Sequence, residues 1–134
     1  MATATDEKNP FVLLGGEAAV RSLVERFYDE MEQHEPTLAA LHTMEDGHVN
    51  RGTRDRFALF LIGWLGGPQD YTATHGHPRL RMRHGHVRVD SVTRDAWLRS
   101  MQRALDAQGV TGVVRSFVDK RFAEVADFLR NTAG

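Results

Sequence analysis

A chain of 134 residues is the size of one compact domain and too short for two, and roughly 65–70% of the unfolded surface of such a domain is buried on folding. Seventeen Lys and Arg stand against eighteen Asp and Glu, so the formal charge is −1 with no block of one sign, and neither nucleic acid nor an anionic membrane is indicated as a partner. Cysteine is absent, which excludes disulfides, thiolate zinc sites, iron–sulfur clusters and cysteine nucleophiles, and fits a reducing, cytoplasmic location.

Residues 1–10 are polar and mixed in charge and read as a flexible tail, with a single domain over 11–131. The apolar run at 11–14 stops at Gly15-Gly16, too short for a signal-peptide core or a membrane span. Four later segments carry helical periodicity, and no stretch alternates with period two. The first sets Val20, Leu23, Val24, Phe27, Tyr28 and Met31 at steps of three and four and closes before Pro36. The second spans about 50–65, carries Phe57, Phe60, Leu61, Trp64 and Leu65, and ends at Gly66-Gly67-Pro68. A third runs over about 92–108 through Trp97, Met101, Ala104 and Leu105. A fourth carries Val114, Phe117, Val118, Phe122, Val125, Phe128 and Leu129, and both of these last two read as core-facing.

Residues 66–90 break the pattern. Turn formers and positive side chains replace the periodic apolar ones, and Pro78 can open a two-turn helix that Gly85 closes, leaving His84 at its end. The chain has 7 histidines, and His75, His77, His84 and His86 fall within 75–86. A solvated polar loop is the plain interpretation. A zinc site is a weaker one, because no acidic residue stands at a metalloprotease-like spacing. Haem asks for less: one axial imidazole, an apolar slot and cations for the propionates. Arg79, Arg81, Arg83 and His84 meet the charged requirements, with Leu80 and Met82 between them, and Phe27, Tyr28, Phe57, Phe60 and Trp97 offer ring surface. A stripe of aromatic residues alone is more often plain core.

These pieces, in this order, resemble the truncated haemoglobins, specifically group II: Pro-Phe-x-x-Leu-Gly-Gly at 10–16, Arg-Phe-Tyr at 26–28, Trp-Leu-Gly-Gly-Pro at 64–68, Tyr71, Gly-His-Pro-Arg-Leu-Arg-Met-Arg-His at 76–84 and Asp-Ala-Trp-Leu at 95–98. The likeness covers nearly the whole chain and implies an all-α, two-over-two helical sandwich around haem b. It implies His84 as proximal ligand, Tyr28 and Trp97 as distal donors, and His42 at the start of the loop after the third short helix. Thr53 and Phe57 then face the iron, Phe60, Leu80, Val87 and Met101 line the pocket, and Arg56, Arg79, Arg83 and Tyr71 meet the propionates. Gly85-His86-Val87 departs from the Ala-Pro-Phe that relatives carry after the proximal His, and His75, His77 and His86 read as solvent-facing or as rim contacts.

The resemblance further implies binding of O2, CO or NO at ferrous iron, and paired distal donors favour slow release over bulk transport. Peroxidase-like, nitric oxide-detoxifying or sulfide chemistry, an unidentified reductase, and a monomer or homodimer go with it. The competing class is a haem-free helical interaction module or a metal-binding protein using the His loop.

Overall fold

The computed structural model describes residues 9–76 and 89–129. Helix α1, Pro10–Leu14, is capped by the Asn9 side chain, which accepts from the Val12 N–H at 2.9 Å, and Gly15 ends it in the left-handed region at φ 114°. Helix α2, Glu17–His34, buries the six residues whose spacing marks its apolar stripe, from Val20 to Met31. Short helix α3, Pro36–Ala39, follows, and then a hairpin of two-residue strands, β1 Met44–Glu45 and β2 His48–Val49. Met44 pairs with Val49 and Glu45 with His48 around Asp46 and Gly47, both at positive φ, the conformation an Asp-Gly turn supplies. Helix α4, Arg51–Trp64, starts where the Asn50 side chain accepts from the Thr53 N–H at 2.8 Å. Helices α5, Asp70–His75, α6, Ser91–Ala107, and α7, Gly112–Leu129, complete the described chain, and Asp90 caps α6 on Thr93 N–H at 2.9 Å.

Helix α2 packs on both α4 and α6, α6 packs on α7, and α5 packs on α4. The pair α2–α4 lies over the pair α6–α7, the two-over-two arrangement implied by the motifs. The core runs through Leu23, Phe27 and Met31 of α2, Leu61 and Ile62 of α4, Met101 and Leu105 of α6 and Val118 of α7, each at most 1% exposed. No described helix is long and apolar enough to cross a membrane.

The structure departs from the sequence reading in four places. The hairpin at 44–49 was not expected, because two-residue strands are too short to show alternation. The domain is already ordered at Asn9, whose side-chain amide donates to Gly66 C=O at 3.2 Å. Short helices occupy 36–39 and 70–75, where turn signals dominate. On α7, Phe117 and Phe128 are 46% and 53% exposed, because only one face can meet α6; Val118, Phe122 and Ala126, four residues apart, take that face. The helix expected over 78–84 lies outside the described residues.

Gly67 shows why the Trp-Leu-Gly-Gly-Pro run matters. A Cβ there would fall 2.7 Å from Phe11 Cδ1 and 2.9 Å from the Ile62 carbonyl oxygen, while Phe11 N–H donates to Leu65 C=O at 3.0 Å. The N-terminal segment therefore docks directly on glycine. Gly67→Ala is expected to destabilise by about 1–3 kcal/mol in thermal or denaturant unfolding. Gly52→Ala, whose added carbon would meet nothing nearer than 3.9 Å, should be neutral or stabilise by up to about 1 kcal/mol.

Candidate functional site

Where α2 crosses α4 and α6, aromatic side chains from all three helices meet. Phe27 is 1% exposed and stands at the centre, with Tyr28, Phe57 and Trp97 at 4.9, 5.4 and 5.2 Å between ring centroids. Along α4, Phe57, Phe60 and Trp64 recur every three or four residues and stack in sequence, and Tyr71 of α5 meets Phe60 edge-on at 5.7 Å. Phe57, Phe60, Trp64, Trp97 and Leu98 pack against the core with one side and keep the other partly exposed among the described residues. This is a broad, nearly continuous apolar face.

Tyr28 is 4% exposed and boxed by edge-to-face contacts with Phe57 at 5.9 Å and His42 at 5.6 Å. Burial pushes its phenol well above the ordinary value, against the pull of Arg54 and Arg56, so the hydroxyl keeps its proton and remains a donor at neutral pH. No described group hydrogen-bonds to that hydroxyl, nor to the indole N–H of Trp97 or the hydroxyl of buried Tyr71. No fully sealed side-chain N or O among the described residues lacks a partner, so these three polar tips each retain some open surface.

The His42 ring is fixed differently. Its Nδ1 lies 3.1 Å from the Leu38 carbonyl oxygen and 3.3 Å from that of Ala39. Carbonyls only accept, so Nδ1 carries the proton, and in the neutral ring Nε2 is an acceptor rather than the donor a distal role would ask for.

Arg54, which sequence reasoning did not single out, is 6% exposed. It donates to Glu25 at 3.0 Å, Asp29 at 2.9 Å, Glu32 at 2.6 Å and the Val49 carbonyl at 2.9 Å, with its guanidinium carbon 5.6 Å from the Tyr28 ring centroid. Arg51 adds an ion pair to Glu25. Thr53 is half-buried one turn before Phe57, and Met101 is sealed in the core at 1%. Arg56 is exposed, has no carboxylate partner among the described residues, and lies near enough to Tyr28 to act on its phenol. His84, Leu80, Val87, Arg79, Arg83, His77 and His86 lie outside the described residues; His75 is exposed beside Tyr71 at 5.0 Å.

A flat apolar group with an anionic edge and a polar ligand matches these features. The rings are only partly buried, Arg56 has no carboxylate partner among the described residues, and no described group accepts from the polar hydrogens of Tyr28, Tyr71 and Trp97. The residues present therefore fit a haem, and among the described residues no cluster of three His, Asp or Glu offers a competing metal site.

Glu35 locks the helix that carries Trp97. At the junction of α2 and α3 it accepts both Arg99 donors at 2.9 Å and Arg103 at 2.9 Å. The Arg99 hydrogen bonds, with Arg103, hold its carboxyl at about 2 instead of the usual 4.5. A depressed folded value contributes stability that is complete above about pH 4.5 and disappears as pH falls toward about 2. Thermal melts over that window should show the loss, and Glu35→Gln should flatten that acid limb; an equally steep decline in the variant would place the acid sensitivity elsewhere.

The bacterial-like globin profile matches residues 9–131. Over 116 residues the chain is 34% identical to the group 2 truncated hemoglobin YjbI of Bacillus subtilis (strain 168), spanning 87% of this chain and 84% of that one. The group II 2-on-2 hemoglobin of Agrobacterium tumefaciens superposes with a TM-score of 0.87 at 30% identity over 100% of both chains. The truncated oxygen-avid haemoglobin of Bacillus subtilis does so with a TM-score of 0.83 at 33% identity, over 92% of this chain and 100% of that one.

Proposed function

The chain belongs to the bacterial-like globins, in their group II truncated haemoglobin branch, and on that premise we propose that it binds haem b through His84 and releases dioxygen slowly. Membership of this family implies a haem and the binding of small gaseous ligands. When bound, haem would supply an iron able to take such a ligand reversibly.

The residues do the rest. Phe57, Phe60 and Trp97, with Leu80 and Val87, would wall the group and exclude water. Arg56, Arg79, Arg83 and Tyr71 meet its carboxylates. A cation and a hydroxyl at the edge of an apolar face suit that task.

The observation that carries slow release is the buried Tyr28 phenol, kept protonated and with no partner among the described residues, on the same Phe27 ring as Trp97, whose indole N–H likewise has no described partner. A bound ligand that accepts from such a pre-placed donor gains a hydrogen bond inside an apolar site, and ligand escape must break it. Each such bond is worth about 1.5–3 kcal/mol, or about ten- to a hundredfold in release rate. The oxygen-avid relative is in keeping with this reading. His42, with its Nδ1 proton committed to the Leu38 and Ala39 carbonyls, packs edge-on against the Tyr28 ring and helps to hold it in place. The same donors suit peroxide, nitric oxide or sulfide, which would need a reductase as partner, and the reading takes the protein to work in a reducing, cytoplasmic compartment.

Absorption spectra of the purified ferric, ferrous and CO-bound protein test the haem assignment. His84→Gly should lose the pigment, and a colourless wild-type protein that stays colourless after haemin is added would select the haem-free alternative. Stopped-flow oxygen release should accelerate about tenfold or more in Tyr28→Phe and in Trp97→Phe. Fast release unchanged by Trp97→Phe sinks the slow-release reading.

A further inference from the structure

We propose that Arg54 is a positioning residue for the distal ligand site, acting through Tyr28; the inference rests on the functional reading above. Its three carboxylate partners stand at 25, 29 and 32 on α2, so the guanidinium fork grips the turn before Tyr28 and the turn after it. The same cation faces the Tyr28 ring at 5.6 Å. The phenol is thereby fixed along the helix and across its face, with no hydrogen bond to its hydroxyl among the described residues.

The grip extends to the other walls of the ring. Arg54 Nε–H donates to Val49 C=O, and Val49 N–H donates to Glu32 at 2.6 Å, which ties the hairpin after His42 to α2. His48 Nδ1 meets the second Glu32 oxygen at 2.8 Å. Phe57 follows Arg54 by three residues on α4 and so moves with it. One buried cation thus registers the segments bearing His42 and Phe57 against the helix bearing Tyr28. Burial works against the Arg54 charge, and Asp29, Glu25 and Glu32 outweigh it. A lysine at 54 has the charge but not the planar fork that spans several acceptors.

The chain has only 2 tyrosines, which makes the ring directly observable. With 3-fluorotyrosine incorporated and the two signals assigned in a Tyr71→Phe sample, Tyr28 is expected to give fluorine resonance displaced from the free amino acid by its locked surroundings. Arg54→Gln should move that resonance toward the free value, and Arg54→Lys should move it part of the way. In the haem-loaded protein Arg54→Gln should speed oxygen release about tenfold, the loss of about one hydrogen bond, and adding Tyr28→Phe should speed it little further. Should Arg54→Gln fail to fold, Arg54→Lys and the charge-relieved pair Arg54→Gln/Glu32→Gln decide by the same resonance. Variants that fold by circular dichroism, keep the wild-type Tyr28 resonance and multiply with Tyr28→Phe in release rate would overturn the proposal and leave Arg54 a stability element. A wild-type protein without a Soret band overturns the functional reading instead, and the fluorine signal still judges the ring.

Discussion

A guanidinium taken out of water has to be met by negative charge, and in this protein that requirement organises the distal half of the fold. Arg54 faces inward on α4 at a position where Ala58, Leu61, Ile62 and Leu65 continue the buried side. Its charge is sustained only if α2 presents carboxylates at 25, 29 and 32 and the hairpin presents the Val49 carbonyl. An isolated buried cation would be strongly unfavourable, so the crossing of α2 and α4 and the path of the 44–49 hairpin are set together. Whether such a network adds net stability over an apolar filling is a separate matter from the register it imposes.

Within that frame the aromatic residues divide the labour. Phe27 is fully buried and holds Tyr28, Phe57 and Trp97 around itself, while the α4 rings turn one side toward the core and one away. Packing alone would favour sealing such rings. Leaving Tyr28, Tyr71 and Trp97 with polar hydrogens that no described protein group accepts is a local cost of the kind that concentrates where a molecule binds. Opposite this face, Glu35 with Arg99 and Arg103 joins α2 to α6, so the helix bearing Trp97 is held to the helix bearing Tyr28 by a bridge as well as by apolar contact.

Much of the fold was legible beforehand because it rests on local rules. The stripe from Val20 to Met31 at steps of three and four could only be an amphipathic helix, and Gly66-Gly67-Pro68 could only end one. Tyr28, Phe57 and Trp97 were read as belonging together, and the structure brings them within contact of one another or of Phe27. The two-residue strands left no periodic trace, and Phe117 and Phe128 were taken as core because apolar character does not say which of two apolar faces is the more deeply buried. A signal for Arg54 did exist: an arginine on the inner stripe of α4, with acids at 25, 29 and 32 on one flank of α2. Neither half means much until the two helices are known to cross there.

The sequence by itself determined the four long helices, the stop at Gly66-Gly67-Pro68, the family and the set of ring-bearing residues, since each follows from spacing along one chain or from motifs in order. Only the tertiary structure decided which polar hydrogens lack an acceptor, which tautomer His42 adopts, and that Arg54 rather than a neighbouring arginine is the buried one. Those properties depend on what approaches from distant parts of the chain, and burial, pairing and electrostatic balance are relations between segments that no local pattern encodes.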